Sequence, residues 1–234
     1  MSNDTMPIDR RAALIAAIGA SALAALPATG AAQPVAGPAT FTPQPLPFDP
    51  ATVPGLSARL LTSHHDSNYV GAVKRLGAIR GEFGKLEMAT APGFTINGLK
   101  REELIAWNSM ILHEIYFSGL GSPNRPGMQL ATTIERDFGS MARWQGEYVA
   151  MGKALGGGSG WVMLAWSAHD RRLVNTWAAD HTMALAGGSP ILVLDMYEHA
   201  YAMDFGAKAA AYVDAVIAAT SWTAADARFR KASA

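Results

Sequence analysis

Two long stretches of helical periodicity, parted by a short run of helix breakers, constrain this 234-residue chain more than any other feature. Ser57 reads as an N-cap, and Leu60, Leu61, His64 and Asn68 follow at helical spacing, so a helix is expected to about Ile79. Residues 89–98 mix proline and glycine with few helix formers. From Leu99, LKREELIAWNSMILHEIYFSGL reads as a second helix, closed by Gly119, Gly121 and Pro123. Ala106, Met110, His113, Phe117 and Leu120 share one of its faces, which sets His113 among apolar neighbours. Two such helices fold back on each other as an antiparallel hairpin.

The second half has a different rhythm. One or two helices are expected within 129–153. The glycine run GGGSG at 156–160 precedes WVMLAW, a strand candidate, and RRLVNTWA reads as its hairpin partner across a turn at 169–171. ILVLD at 191–195 is a short apolar run of the kind found in buried strands, and 207–219 reads as an Ala-rich terminal helix. The expected fold class is α+β. A long antiparallel helical hairpin occupies 56–125, and 126–234 forms a domain with a small antiparallel sheet flanked by helices.

Ahead of these lie two segments of other composition. Residues 1–32 run from a polar start through Arg10 and Arg11 into AALIAAIGASALAAL, then to small residues around Gly30-Ala31-Ala32. This is the three-part layout of a secretory signal, and the adjacent arginines point to the twin-arginine route. The apolar run of about 15 residues is shorter than the roughly 20 that span a bilayer. The mature chain is therefore expected in the periplasm or cell envelope, with no stable membrane span. Residues 33–55 are Pro-rich and read as an extended arm.

Lys+Arg and Asp+Glu both number 19, a balance that argues against a nucleic-acid partner. Removing residues 1–32 takes two charges of each sign and changes nothing. With no cysteine, disulfides, thiolate metal sites and a cysteine nucleophile are excluded. Any metal must be held by nitrogen and oxygen. His64, His113 and the pair Asp195/His199 are the candidates, since imidazoles with one carboxylate suit a first-row ion such as iron, manganese or zinc. Iron and manganese change valence, so one-electron chemistry becomes available; zinc does not.

These residues carry a resemblance. HHDSNYVGAVKRL at 64–76, HEIYFSGLGSP at 113–123, FGSM at 138–141, GGSGWVML at 157–164 and above all DMYEHAY at 195–201 resemble segments of the iron/manganese superoxide dismutases, in the same chain order. The resemblance runs from about Leu46 to the terminal helix. It implies His64, His113, Asp195 and His199 as ligands to one iron or manganese ion, with iron favoured. It further implies Trp161 as a wall of the site, Phe117 where a tryptophan is common, and Tyr201 beside the last ligand. Glu198 would bridge to a second copy in a homodimer. The implied activity is disproportionation of superoxide to oxygen and hydrogen peroxide; the alternative is a metal-binding or redox-sensing envelope protein on the same fold.

Around the ligands the chain departs from the family. Ungapped alignment puts Asn68 in place of a histidine, Ala72 in place of a gateway tyrosine and Ala202 in place of a second tyrosine. A gapped alternative would pair Tyr69 with the gateway tyrosine. Ser109 stands at one of the family's two glutamine positions and His181 at the other, where an imidazole would tune the metal-bound solvent. His65, next to His64, competes for the first ligand role.

Overall fold

The computed structural model describes residues 41–234. The expected export signal with Arg10 and Arg11, and the start of the Pro-rich arm, lie outside the described residues. Residues 41–55 run over the helices with one 3₁₀ turn at Pro50–Thr52. The arm is pinned at Phe41, where the Arg80 guanidinium carbon lies 4.6 Å from the Phe41 ring centre and 4.1 Å from that of Trp107. Further along, the Gln44 backbone N–H donates to the Tyr69 hydroxyl at 2.8 Å.

Helix α1 (Ala58–Ser63) starts as the sequence predicts, with the Ser57 hydroxyl accepting from the Leu60 N–H at 3.0 Å. Asp204 accepts from both the Ser57 amide and its hydroxyl, each at 2.7 Å, which ties this helix start to the segment after His199. The helix then widens into a π-helix over His64–Tyr69 before α2 (Val70–Phe83) resumes α geometry. Periodicity at 3.6 residues cannot signal such a turn, and π geometry is frequent at functional sites. His64 sits on its first position.

Helix α3 (Gly93–Ser118) begins six residues before the sequence reading, inside the expected breaker stretch. The Pro92 carbonyl accepts from Thr95 and Ile96 at 3.0 and 3.2 Å, so the proline starts the helix instead of stopping it. Helix α3 packs along α2, completing the hairpin. Helices α4 (Met128–Phe138) and α5 (Met141–Ala154) follow, separated by Gly139 in a left-handed conformation and by Ser140, which caps α5.

The sheet has strands β1 (Trp161–Ser167), β2 (Arg172–Ala178) and β3 (Gly188–Asp195), antiparallel, in the order β2-β1-β3. Every residue of the central strand β1 is buried, which is why it reads as an unbroken apolar run. Its register sets Trp161 opposite Asp195, so the two sequence candidates become neighbours. Strand β3 also packs against α3, which brings His113 to the same place. Strand β3 starts three residues earlier than ILVLD suggested.

A 3₁₀ turn at Glu198–Ala200, α6 (Ala202–Phe205), α7 (Ala209–Ala218) and α8 (Thr223–Ser233) close the chain. The Ala-rich helix is therefore not the terminal one. Helix α8 escapes sequence reading because TAADARFRKAS buries only Ala225 and Phe229. The α+β architecture is the expected one. Among the described residues no helix is long and apolar enough to cross a membrane.

Candidate metal centre

Four side chains from four places in the chain converge. His64 comes from the π-helix, His113 from the last third of α3, Asp195 from the end of β3 and His199 from the following 3₁₀ turn. One donor atom from each lies within 4.8 Å of all the others. Asp195 Oδ2 is the hub, 3.2 Å from His64 Nε2, 3.6 Å from His113 Nε2 and 3.2 Å from His199 Nε2. His64, His113 and Asp195 are buried, whereas the His199 side chain keeps 25 % of its surface exposed. The centre is open on the His199 side.

The hydrogen bonds explain how these donors are aimed. His113 Nδ1 donates to the Ser109 carbonyl at 2.6 Å, one turn back on the helix, which leaves the Nε2 lone pair facing the cluster. His113 Nε2 and both ring nitrogens of His64 have no hydrogen-bond partner among the described residues. The 3.2 Å approach of His64 to Asp195 is close but misdirected for a hydrogen bond. Buried, unsatisfied imidazole nitrogens beside a buried carboxylate are costly unless a cation sits among them. The donor set therefore fits a metal ion. Asp195 Oδ1 accepts from the Tyr197 N–H at 2.9 Å, and its main-chain carbonyl accepts from the Tyr212 hydroxyl at 2.8 Å, which fixes the strand end.

Charge follows from burial. Desolvation pushes His64 down and His113 down to about 3, so both are neutral and ready to ligate at physiological pH. Desolvation would raise Asp195, but the hydrogen bond from His199 and the close approach of the His64 imidazole outweigh this and hold it well below the usual carboxylate range. The consequence for stability has a definite sign. An unfolded His113 takes up a proton near its ordinary 6.5, whereas the buried one refuses it until about 3. The metal-free protein is thus expected to lose stability as pH falls from about 6.5, by up to about 1.4 kcal/mol per pH unit for each such histidine. A thermal midpoint that stays flat through that acid range would contradict this.

Trp161 stands edge-on to His113, with ring centres 5.2 Å apart, and Phe117 lies 5.0 Å from His64. Tyr116, unnoticed in the sequence, packs 5.2 Å from His64 and bonds Tyr212. His181 joins this shell from the β2–β3 loop. The Trp161 indole N–H donates to His181 Nδ1 at 2.9 Å. Indole only donates, so the neutral imidazole carries its proton on Nε2. Tyr197, the third residue of DMYEHAY, stacks on both His181 and His199.

Other candidates stand apart. His65 directs Nδ1 to Asp66 at 2.7 Å and Nε2 to the Gln44 carbonyl at 2.8 Å, so it holds the arm and is no member of the cluster. The Tyr69 hydroxyl donates to Glu114 at 2.9 Å, and its ring packs against Phe117 and His65. It does not occupy a gateway place. Asn68 is half-buried on the π-helix, Tyr201 is buried against Tyr212, and Glu198 is exposed beside His199. None of these three is a member of the donor cluster. Tyr116 and Tyr212 read as core, as aromatic residues in apolar runs do, and Tyr197 lies inside DMYEHAY with nothing local to mark its role.

Comparison with known proteins agrees with this geometry. A profile of the family described as iron/manganese superoxide dismutases, C-terminal domain, matches residues 126–228. A protein of Cupriavidus metallidurans named superoxide dismutase [Fe] is 62 % identical over 184 residues, which covers 79 % of this chain and 93 % of that one. Superoxide dismutase [Mn] 1 of Halobacterium salinarum is 31 % identical over 192 residues, covering 80 % and 94 %. Superoxide dismutase [Fe] of Aquifex pyrophilus is 30 % identical over 191 residues, covering 78 % and 88 %. With likeness of that depth running through most of each chain, this protein belongs to the iron/manganese superoxide dismutase family.

Proposed function

We propose that the protein disproportionates superoxide, two anions and two protons giving oxygen and hydrogen peroxide, at one iron or manganese ion held by His64, His113, Asp195 and His199. The observation that carries this is the four-donor cluster with its orphaned, neutral imidazoles. When bound, iron or manganese supplies the one-electron couple that no side chain here offers. The name of the 62 % identical relative supports iron.

The chain's own residues supply the rest. Asp195 brings one negative charge into a fully buried place, which favours a cation of high charge. Trp161, Phe117 and Tyr116 exclude water from the closed side, leaving the approach by His199. His181 presents an N–H near the centre, with its ring 6.3 Å from that of His113, and holds a proton where the reduced product needs one. It takes the role that a glutamine has in the family pattern. Replacing His181 by alanine should leave the metal content intact and lower turnover per ion about 10–100-fold, the range seen when a metal centre's outer hydrogen-bond partner is lost. Unchanged turnover together with an unchanged visible spectrum would remove His181 from the mechanism. The reaction itself is tested by product stoichiometry: one oxygen and one peroxide for every two superoxide ions.

Two further features belong to this reading. A homodimer is supported by exposed Glu198 beside the part-exposed ligand His199, the one side on which the centre is open. A second copy there would border that approach and narrow it, and sedimentation of the metal-loaded protein tests this. Export by the twin-arginine route to the periplasm or envelope is supported by Arg10–Arg11 and the short apolar run that follows. A lysine pair in place of Arg10 and Arg11 should keep the protein in the cytoplasm.

A further inference from the structure

His181 has little to hold it. It lies on the loop between β2 and β3, and its main chain is anchored by Asn108, whose amide donates to the His181 carbonyl at 2.7 Å. The bond from Trp161 fixes where Nδ1 sits but leaves the ring plane free to turn about that contact. His199 has a related problem, as the one cluster member with exposed side-chain surface. His64 covers one side of it, with ring centres 4.7 Å apart.

Tyr197 meets both needs. Its ring lies 4.8 Å from His181 at an interplanar angle of 18°, and 5.3 Å from His199 at 14°. The three rings form one near-parallel column across the open edge of the centre. Stacking fixes the plane that a single hydrogen bond leaves free, and offset aromatic pairs contribute beyond their buried area. We propose that Tyr197 is a positioning residue that holds His181 and His199 in register from between them. The ring does this; the contact of the Tyr197 hydroxyl with the His181 main-chain N–H serves the loop and leaves the ring planes to the stack.

The inference rests on reading the cluster as a metal centre, but its test needs no turnover. A chain that fails as a dismutase still gives a clear answer. The probe is hydrogen exchange at the Trp161 indole N–H, followed by NMR in the full chain loaded with diamagnetic zinc. Trp144, whose indole donates to Asn175 at 3.1 Å away from the cluster, is the internal control. In Tyr197→Leu, exchange at Trp161 should rise at least about tenfold with Trp144 unchanged, and Tyr197→Phe should stay within about twofold of the parent at both sites. Three results overturn the proposal: no change at Trp161 in Tyr197→Leu, an equal rise at Trp144, which marks general loosening, or a Tyr197→Phe variant that behaves like Tyr197→Leu.

Discussion

Asp195→Asn should empty the centre and abolish dismutation while leaving the fold intact. Asparagine keeps the shape and the Oδ1 that accepts from the Tyr197 N–H, so the strand end has no reason to move. What disappears is the single negative charge at the hub of three imidazoles. Loss of an outer hydrogen-bond partner of a metal ligand costs about 10–100-fold in affinity, and loss of the only anionic ligand should exceed about 100-fold. The metal-free variant should fold but be less stable than the metal-free parent at neutral pH, because a carboxylate held well below its ordinary range by the imidazoles around it contributes to stability there. Metal analysis, superoxide decay and thermal midpoints of both metal-free forms check these outcomes. Full metal occupancy in the variant would remove Asp195 from the ligand set, and a metal-free variant that fails to fold would make it a structural residue.

The second large effect is expected at Gly160. Its φ of +134° is a conformation that side-chain-bearing residues rarely adopt, and a Cβ there would lie 2.1 Å from the Ala178 carbonyl oxygen. That oxygen belongs to the backbone at the end of β2 and cannot swing aside. The Gly160 carbonyl also accepts from the Met196 N–H at 2.9 Å, so the residue joins the sheet to the turn that carries His199. Gly160→Ala should cost about 3 kcal/mol or more, combining backbone strain with overpacking. Metal binding should weaken with it, since Trp161 and Asp195 sit on either side of the displaced strand end. Denaturant midpoints report the stability, and an alanine variant as stable as the parent would refute the close approach.

The parts legible in the sequence were those written in local pattern. Ser57 announced the first helix, the apolar face of Ala106, Met110, His113 and Phe117 announced the third, and the buried run at 191–195 announced the strand that carries Asp195. DMYEHAY, which begins on the last residue of that strand, carries two of the four ligand candidates, Asp195 and His199. What stayed hidden depends on contacts between distant segments. The π-helix at His64–Tyr69 leaves no trace in a 3.6-residue period. Helix α3 begins inside the breaker stretch because the Pro92 carbonyl caps its first turn, a fact of backbone position. His65 could not be told from His64 until the arm was seen to occupy both of its nitrogens. The Tyr197 stack requires the β2–β3 loop to return His181 to the cluster, which no spacing along the chain predicts.

One number bears on the whole account: the rate of superoxide disproportionation per bound ion, measured on protein loaded in parallel with iron and with manganese. The site geometry predicts rapid decay, far above the spontaneous rate, in proportion to the ion bound and absent from metal-free protein. Negligible turnover at full occupancy with both metals would contradict it, and would leave the four-residue centre as a metal site whose purpose is not dismutation.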